Sequence, residues 1–250
     1  MFYLAKNQLA DPHIARSVGK HGNWSKRFAT LAEASKYPAL TMFYQQGVVA
    51  ASTPIADVEM VALDFETTGL DPSRDSIVSI GLVPMSLSRI RCGGAKHWII
   101  RPETRLHSTS VVVHGITHSA VADAPDFHTV IDNLLAALQG KVVVVHHSLI
   151  ERCFLDAALR RAVQEGIEFP VIDTMALEAR FSRTVWQSLR AALLGRQLNS
   201  IRLTDSRTRY HLPYYRQHNA LTDALACAEL LQAQCATHLT PATPVSAVWS

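Results

Sequence analysis

The chain has 250 residues, 48% of them apolar and 18% charged, with a net charge of +3; this is too apolar for a disordered chain, and the length suits one α/β domain with appendages better than two full domains. No apolar run approaches the roughly 18 to 20 residues that span a bilayer, and Lys6, Asp11 and Pro12 interrupt the stretch where a signal peptide would carry its apolar core. Cys92, Cys153, Cys227 and Cys235 form no Cys-x-x-Cys pair, so four reduced thiols in a cytoplasmic protein are expected.

Residues 1–56 read as a basic, partly helical extension, with a helix-compatible stretch over Ser25 to Tyr37 and the small-residue exit Ala50 to Pro54. Its bases outnumber its acids, which serves either nucleic acid or solubility. From Val58 to Glu66 an apolar strand runs into the turn residues Thr67 to Asp75, and a second strand follows over Ile77 to Val83. Cys92-Gly93-Gly94 makes a tip before a third strand, Lys96 to Ile100. Phe127, Val130, Ile131, Leu134, Leu135 and Leu138 follow helical spacing, which predicts a helix over Asp126 to Leu138 ended by Gly140. Val142 to Val145 is a short, wholly apolar strand suited to the middle of a sheet. Helices are expected over Leu149 to Gln164, Thr184 to Leu194 and Ala220 to Thr237, with a small strand at Val171 to Ile172. The order predicts an α/β fold: an antiparallel meander continued by α/β units, giving a mixed sheet flanked by helices over residues 57–238. Residues 239–250 read as a flexible tail.

The chemistry concentrates at the end of the first strand. Asp64 and Glu66 are two residues apart, so the pleat puts both carboxylates on one face. Their neighbours Val61, Ala62, Leu63 and Phe65 are apolar, and like charges emerging from a buried strand call for a cation. Hard divalent ions such as Mg²⁺ take carboxylate oxygens. Far downstream, His218 precedes a helix whose first turn carries Asp223. A histidine beside a carboxylate-bound cation is suited to deprotonate water near neutral pH. Arg180, Arg183, Arg190, Arg196, Arg202, Arg207, Arg209 and Arg216 face a single acid, Asp205, across that stretch. It reads either as a track for a nucleic-acid backbone or as a solvated face. No phosphate-cradling Gly-x4-Gly-Lys-[Ser/Thr] loop and no Gly-x-Ser-x-Gly nucleophile elbow is present.

Asp64-Phe65-Glu66-Thr67-Thr68-Gly69 resembles the first motif of the DnaQ-like, or DEDDh, 3′→5′ exonucleases, and His218-x4-Asp223 resembles their last. Between them, His146-His147-Ser148-Leu149-Ile150-Glu151-Arg152-Cys153-Phe154-Leu155 occupies the place of the family's His-Asn-Ala-x-Phe-Asp-x-x-Phe-Leu, with Glu151 where the family has Asp. His114-Gly115-Ile116-Thr117, Asp173-Thr174 and Ser188-Leu189 match further family segments, and the resemblance covers about Val58 to Gln234. It implies a ribonuclease H-like fold and two divalent cations, Mg²⁺ or Mn²⁺, held by Asp64, Glu66, Asp223 and Glu151. It also implies His218 as general base, with Thr67, Leu70, His114 and Ile116 contacting the terminal nucleotide. The implied reaction is two-metal hydrolysis of the last phosphodiester of single-stranded DNA or RNA, releasing nucleoside 5′-monophosphates in repair, proofreading or trimming. Two alternatives stand beside it: a nuclease fold kept only for binding, signalled by Glu151 and His147, and an N-terminal extension that docks a polymerase or repair partner.

Overall fold

A computed structural model describes residues 23–104, 115–182 and 198–250. They form α1 (Trp24–Ala34), α2 (Pro38–Gln45), β1 (Met60–Thr67), β2 (Ile77–Met85), β3 (Lys96–Ile99), α3 (His118–Ala122), α4 (Phe127–Leu138), β4 (Val142–Val145), α5 (Ser148–Val163), β5 (Val171–Asp173), α6 (Thr174–Ser182), α7 (Leu203–Arg209) and α8 (Ala220–His238). The sheet runs β3-β2-β1-β4-β5. β1 and β3 are antiparallel to β2, whereas β4 lies parallel to β1 and β5 parallel to β4. This is the mixed sheet flanked by helices that the sequence predicts. The helix expected over residues 184–194 lies outside the described residues.

Alternation along β1 sorts the core into two layers. Val61, Leu63 and Phe65 face one side, where Phe28, Phe43, Leu134 and Phe154 from α1, α2, α4 and α5 meet them. Met60 and Ala62 face the other, under Ala224, Cys227, Ala228 and Leu231 of α8. Asp64 and Glu66 continue this even-numbered row toward α8. All four cysteines are unpaired thiols, Cys92 exposed and the others buried. Among the described residues, no helix is long and apolar enough to cross a membrane.

The N-terminal helices are present, as two rather than one. Asn23 caps α1 with its side chain on the Lys26 amide, and Pro38 restarts the chain as α2 after the extended Tyr37. Both helices enter the main core: Trp24, Phe28, Leu40 and Phe43 are buried. At about 1.5–3 kcal/mol for each fully buried large apolar side chain, four of them contribute on the order of 6–12 kcal/mol, comparable to the net stability of a whole domain. Arg27 also pairs with Glu168, and Glu165 accepts from the amides of Lys36 and Tyr37.

The last residues correct an expectation. Residues 239–250 are not a loose tail: Val245 and Val248 are buried, and Ser250 exchanges backbone hydrogen bonds with Val171 of β5. Arg152 of α5 donates to the carbonyls of Phe169 (2.8 Å) and Ser250, and its guanidinium lies 5.8 Å from the centre of the Trp24 ring. Two buried valines, Trp249 against both core layers, and bonds from Arg152, Arg180 and the backbone hold this segment, a signal too short for apolar periodicity to reveal.

Candidate active site

The register of β1 on β2 sets Asp64 opposite Gly81 and Glu66 opposite Ser79, with an irregularity between Glu66 and Thr67 that ends regular pairing. Gly81 is required where it stands. A Cβ there would lie 2.1 Å from the Ala220 carbonyl group and 2.3 Å from the Leu221 amide. The missing side chain, together with the small residues Ala220 and Ala224, lets the start of α8 descend onto the sheet beside Asp64. Glycine inside an otherwise apolar strand is the sequence signal for such close approach.

Asp223, in the first turn of α8, is thereby brought to the β1 acids. Carboxylate oxygens of Asp64, Glu66 and Asp223 all lie within 4.8 Å of one another. Burial, reinforced by the neighbouring acids Asp223, Glu66 and Glu151, raises the Asp64 carboxyl well above its usual range. Glu66 is pushed up to about 8 by burial and then by Asp223. Asp223 is raised by burial as well, partly offset by the amides of His218 (2.8 Å) and Asn219 that it accepts. Three carboxylates penalised in their charged forms are held together by packing, not by one another.

His218 is tied to this cluster through its backbone. Its φ of 68° lies in the left-handed region, unusual for a residue with a side chain, and the bond from its amide to Asp223 holds it there. Its half-buried imidazole is shifted below the ordinary histidine range by burial. Asn219 caps α8 on the Thr222 amide, which fixes where the helix begins.

The second half of the site is built from the carboxyl ends of β4 and β5. Glu151, in the first turn of α5, is buried, and its Oε2 has no hydrogen-bond partner. Burial raises its pKa strongly. It is not a member of the three-acid group, although its charge is felt at Asp64. Asp173 closes β5 and holds two helix starts at once, accepting from Ser148 of α5 and from Met175 and Ala176 of α6. His146 is a structural residue: Nε2 faces the Ile201 carbonyl at 3.1 Å and so carries the proton, while Nδ1 lies 2.8 Å from the Thr174 hydroxyl. Burial lowers its pKa to about 4. His147, half-buried at the start of α5 with a φ of 153°, is also shifted downward by burial.

The remaining expected contacts divide. Thr67 and Leu70 follow the acids directly, in a turn where the Thr67 hydroxyl donates to the Gly69 carbonyl at 2.6 Å. A Cβ on Gly69 would collide with the buried Asp75 carboxylate at 2.4 Å, so this turn also depends on a glycine. Ile116 packs in a separate small cluster with Val78 and Val121. His114 lies outside the described residues, as do Ser188, Leu189, Arg183, Arg190 and Arg196.

Several of the described arginines are tied to partners within the protein. Arg207 is 4% exposed and pairs with Glu229 at 2.7 Å, and Arg209 pairs with the buried Glu178 at 2.8 Å. Arg180 donates to the Ala247 carbonyl. The structural role of Arg207 is missed in the sequence because its acid stands 22 residues away.

An all-oxygen set of three converging carboxylates, those of Glu66 and Asp223 buried, with the buried and unpaired Glu151 Oε2 felt at Asp64, fits a hard divalent cation. The chain is also similar to known proteins. The model of the RNase_T exonuclease family matches residues 61–231, a span that holds all five site residues of the three motifs. The PolC-type DNA polymerase III of Thermotoga maritima is 29% identical over 174 residues, 70% of this chain and 12% of that protein. The DNA polymerase III epsilon subunit of Rickettsia felis is 30% identical over 128 residues, 49% of this chain and 56% of that subunit. The chain therefore spans a small part of the first and about half of the second. Among solved structures, the nuclease domain of 3′hExo, a DEDDh family member bound to rAMP, aligns with a TM-score of 0.61 at 17% identity, covering 76% of this chain and 96% of that one, which shows a shared fold. With a family match across more than half of its length, the chain belongs to the RNase_T exonuclease family.

Proposed function

We propose that the protein is a metal-dependent 3′→5′ exonuclease that removes nucleoside 5′-monophosphates one at a time from single-stranded DNA, with RNA as the second substrate. The observation that carries this reading is the meeting of Asp64, Glu66 and Asp223 within 4.8 Å beside His218. Divalent cations held by Asp64, Glu66 and Asp223, and by Asp64 with Glu151, would supply positive charge to the phosphodiester and acidity to the attacking water. His218 takes the proton that this water loses; a pKa held below the ordinary value keeps its imidazole neutral and able to accept near pH 7. Attack at phosphorus breaks the bond to the leaving 3′ oxygen, so the released nucleotide keeps its 5′-phosphate. Thr67, Leu70, His114 and Ile116 position the terminal nucleotide. Kinship with DNA polymerase III subunits favours DNA and a role in proofreading or repair, whereas the rAMP-bound neighbour keeps RNA in view.

Glu151 favours one competing reading, a nuclease fold retained for binding, because its carboxylate stands outside the three-acid group. Digestion of 5′-labelled single-stranded DNA and RNA of equal sequence with Mg²⁺, Mn²⁺ or EDTA, beside Asp64→Ala, separates the two. A ladder shortening from the 3′ end, lost with EDTA and in the variant, is the expected result. Intact substrate in every metal, with binding retained, would establish the binding module instead. A polymerase or repair partner at the N-terminal extension belongs to the same proposal. Since α1 and α2 face the core, its test removes residues 1–22 only and compares co-purification with DNA polymerase subunits.

A further inference from the structure

Between α7 and the segment that joins it to α8, a cleft of about 40 Å³ opens beside the acids, and Asp223 itself lines it together with Arg207, Pro213 and Tyr214. Tyr214 is 77% exposed, more than Met42 or Leu198, the other large apolar residues at the described surface. Its neighbour Tyr215 is fixed by contrast: the hydroxyl donates to Glu229 at 2.9 Å, and the Arg207 guanidinium covers the ring at 4.6 Å.

The segment that carries Tyr214 is held stiffly. Arg207 donates to the carbonyls of Ala226 on α8 (2.7 Å) and Pro213 (2.8 Å), while its own carbonyl accepts from the Leu212 amide. His211 turns the chain with a φ of 55°, and Gln217 bonds back to Thr204 of α7. A buried arginine thus clamps the residue before Tyr214 and the ring after it. The Tyr214 ring, the exposed aromatic of this segment, stands at the rim of a cleft that shares a carboxylate with the acid cluster. With the backbone already fixed, only the two side-chain torsions of the tyrosine remain to be ordered when a flat partner covers its ring. Nucleobases offer such a face, and stacking on an aromatic side chain is tolerant of sequence.

We propose that Tyr214 is a stacking platform for an unpaired nucleobase of the strand whose terminal phosphodiester lies at Asp64, Glu66 and Asp223. The proposal rests on the nuclease reading and adds a selection to it: a base must leave its duplex partner to stack, so ends without pairing are preferred. Tyr214 positions the strand and takes no part in bond breaking.

The test compares Tyr214→Ala, Tyr214→Phe and Tyr214→Trp with the wild-type chain, using kcat and KM on single-stranded oligonucleotides with Mg²⁺, and using fluorescence anisotropy of the same oligonucleotides without turnover. Stacking on an aromatic is lost on alanine substitution at about 1–3 kcal/mol per base, or roughly fivefold to 150-fold in affinity. Tyr214→Ala is therefore expected to raise KM and weaken binding by at least about fivefold, with kcat within twofold. Phe and Trp are expected to rescue KM, and an oligonucleotide abasic near its 3′ end should no longer distinguish Ala from wild type. Equal KM and equal binding across the series, or a Phe variant as weak as Ala, would overturn stacking. If the wild-type chain hydrolyses nothing, the nuclease reading falls alone: anisotropy still decides whether Tyr214 stacks.

Discussion

The two halves of the site are built differently. The β1–α8 half is pinned: Gly81 admits the helix backbone, Asn219 fixes its start, and three carboxylates end within 4.8 Å of one another. In the β4–α5 half, a single buried glutamate keeps an unpartnered oxygen, positioned by a helix start that Asp173 holds from a neighbouring strand. The first half is over-determined by backbone packing, whereas the second depends on the reach of one side chain. Preorganised charge costs no rearrangement at the moment of reaction, so the pinned half should carry more of the rate.

Substitution of the acids exposes that difference most strongly. Asp64→Asn is expected to lower kcat by about 10³-fold or more, and Glu151→Gln by about 10²-fold. Single-turnover digestion of a labelled oligonucleotide measures both, and equal losses would erase the distinction between the halves. A smaller effect is expected on stability from the packing that pins the first half. Gly81→Ala drives a Cβ into the Ala220 backbone at 2.1 Å and should cost about 1–3 kcal/mol in urea melts along with most of the activity. Gly93→Ala, with open space around it, should stay within about 0.5 kcal/mol. Similar costs for the two would show that α8 has room to move.

The pinned half also sets a dependence on pH. Glu66 sits at about 8 in the folded protein against an ordinary 4.5, with Asp64 raised beside it, so between these values the native state holds protons that the unfolded chain has lost. In EDTA, stability should fall as pH rises from about 4.5 through 8. Cations displace those protons, so stabilisation by Mg²⁺ or Mn²⁺ should grow across the same window and reach about 2.7 kcal/mol at one hundred times Kd. Thermal melts at pH 5.5, 7 and 8.5 check this. A cation effect independent of pH would mean that the acids are already ionised without metal.

Much of this was legible in the chain because it is local. Val142–Val145 is a strand with the bounds its apolar run predicts, and helix α4 starts one residue from its expected place. The motifs Asp64-x-Glu66 and His218-x4-Asp223 each lie within a few residues of sequence. What escaped is what depends on distant partners. The arginines between residues 180 and 216 counted as free charge because Glu178 and Glu229, which neutralise Arg209 and Arg207, stand just beyond the two ends of that stretch. Helix α7 has one apolar residue, Leu203, and α6 is nine residues long and follows β5 without a loop, so neither announces itself; both are settled by contacts with α8. Gly81 was visible as a letter, but its purpose appears only when Ala220 is seen against it.

Arg152, the residue after Glu151, reaches the Trp24 ring of α1, the Phe169 carbonyl before β5 and the Ser250 carbonyl. Regions more than 200 residues apart in sequence therefore share one side chain, and that side chain follows directly on Glu151 near the start of α5. Such a junction makes the first described helix, the start of α5 and the last residues a single cooperative opening unit. Fraying at either end of the described residues is then expected to reach the Glu151 carboxylate before the pinned carboxylates.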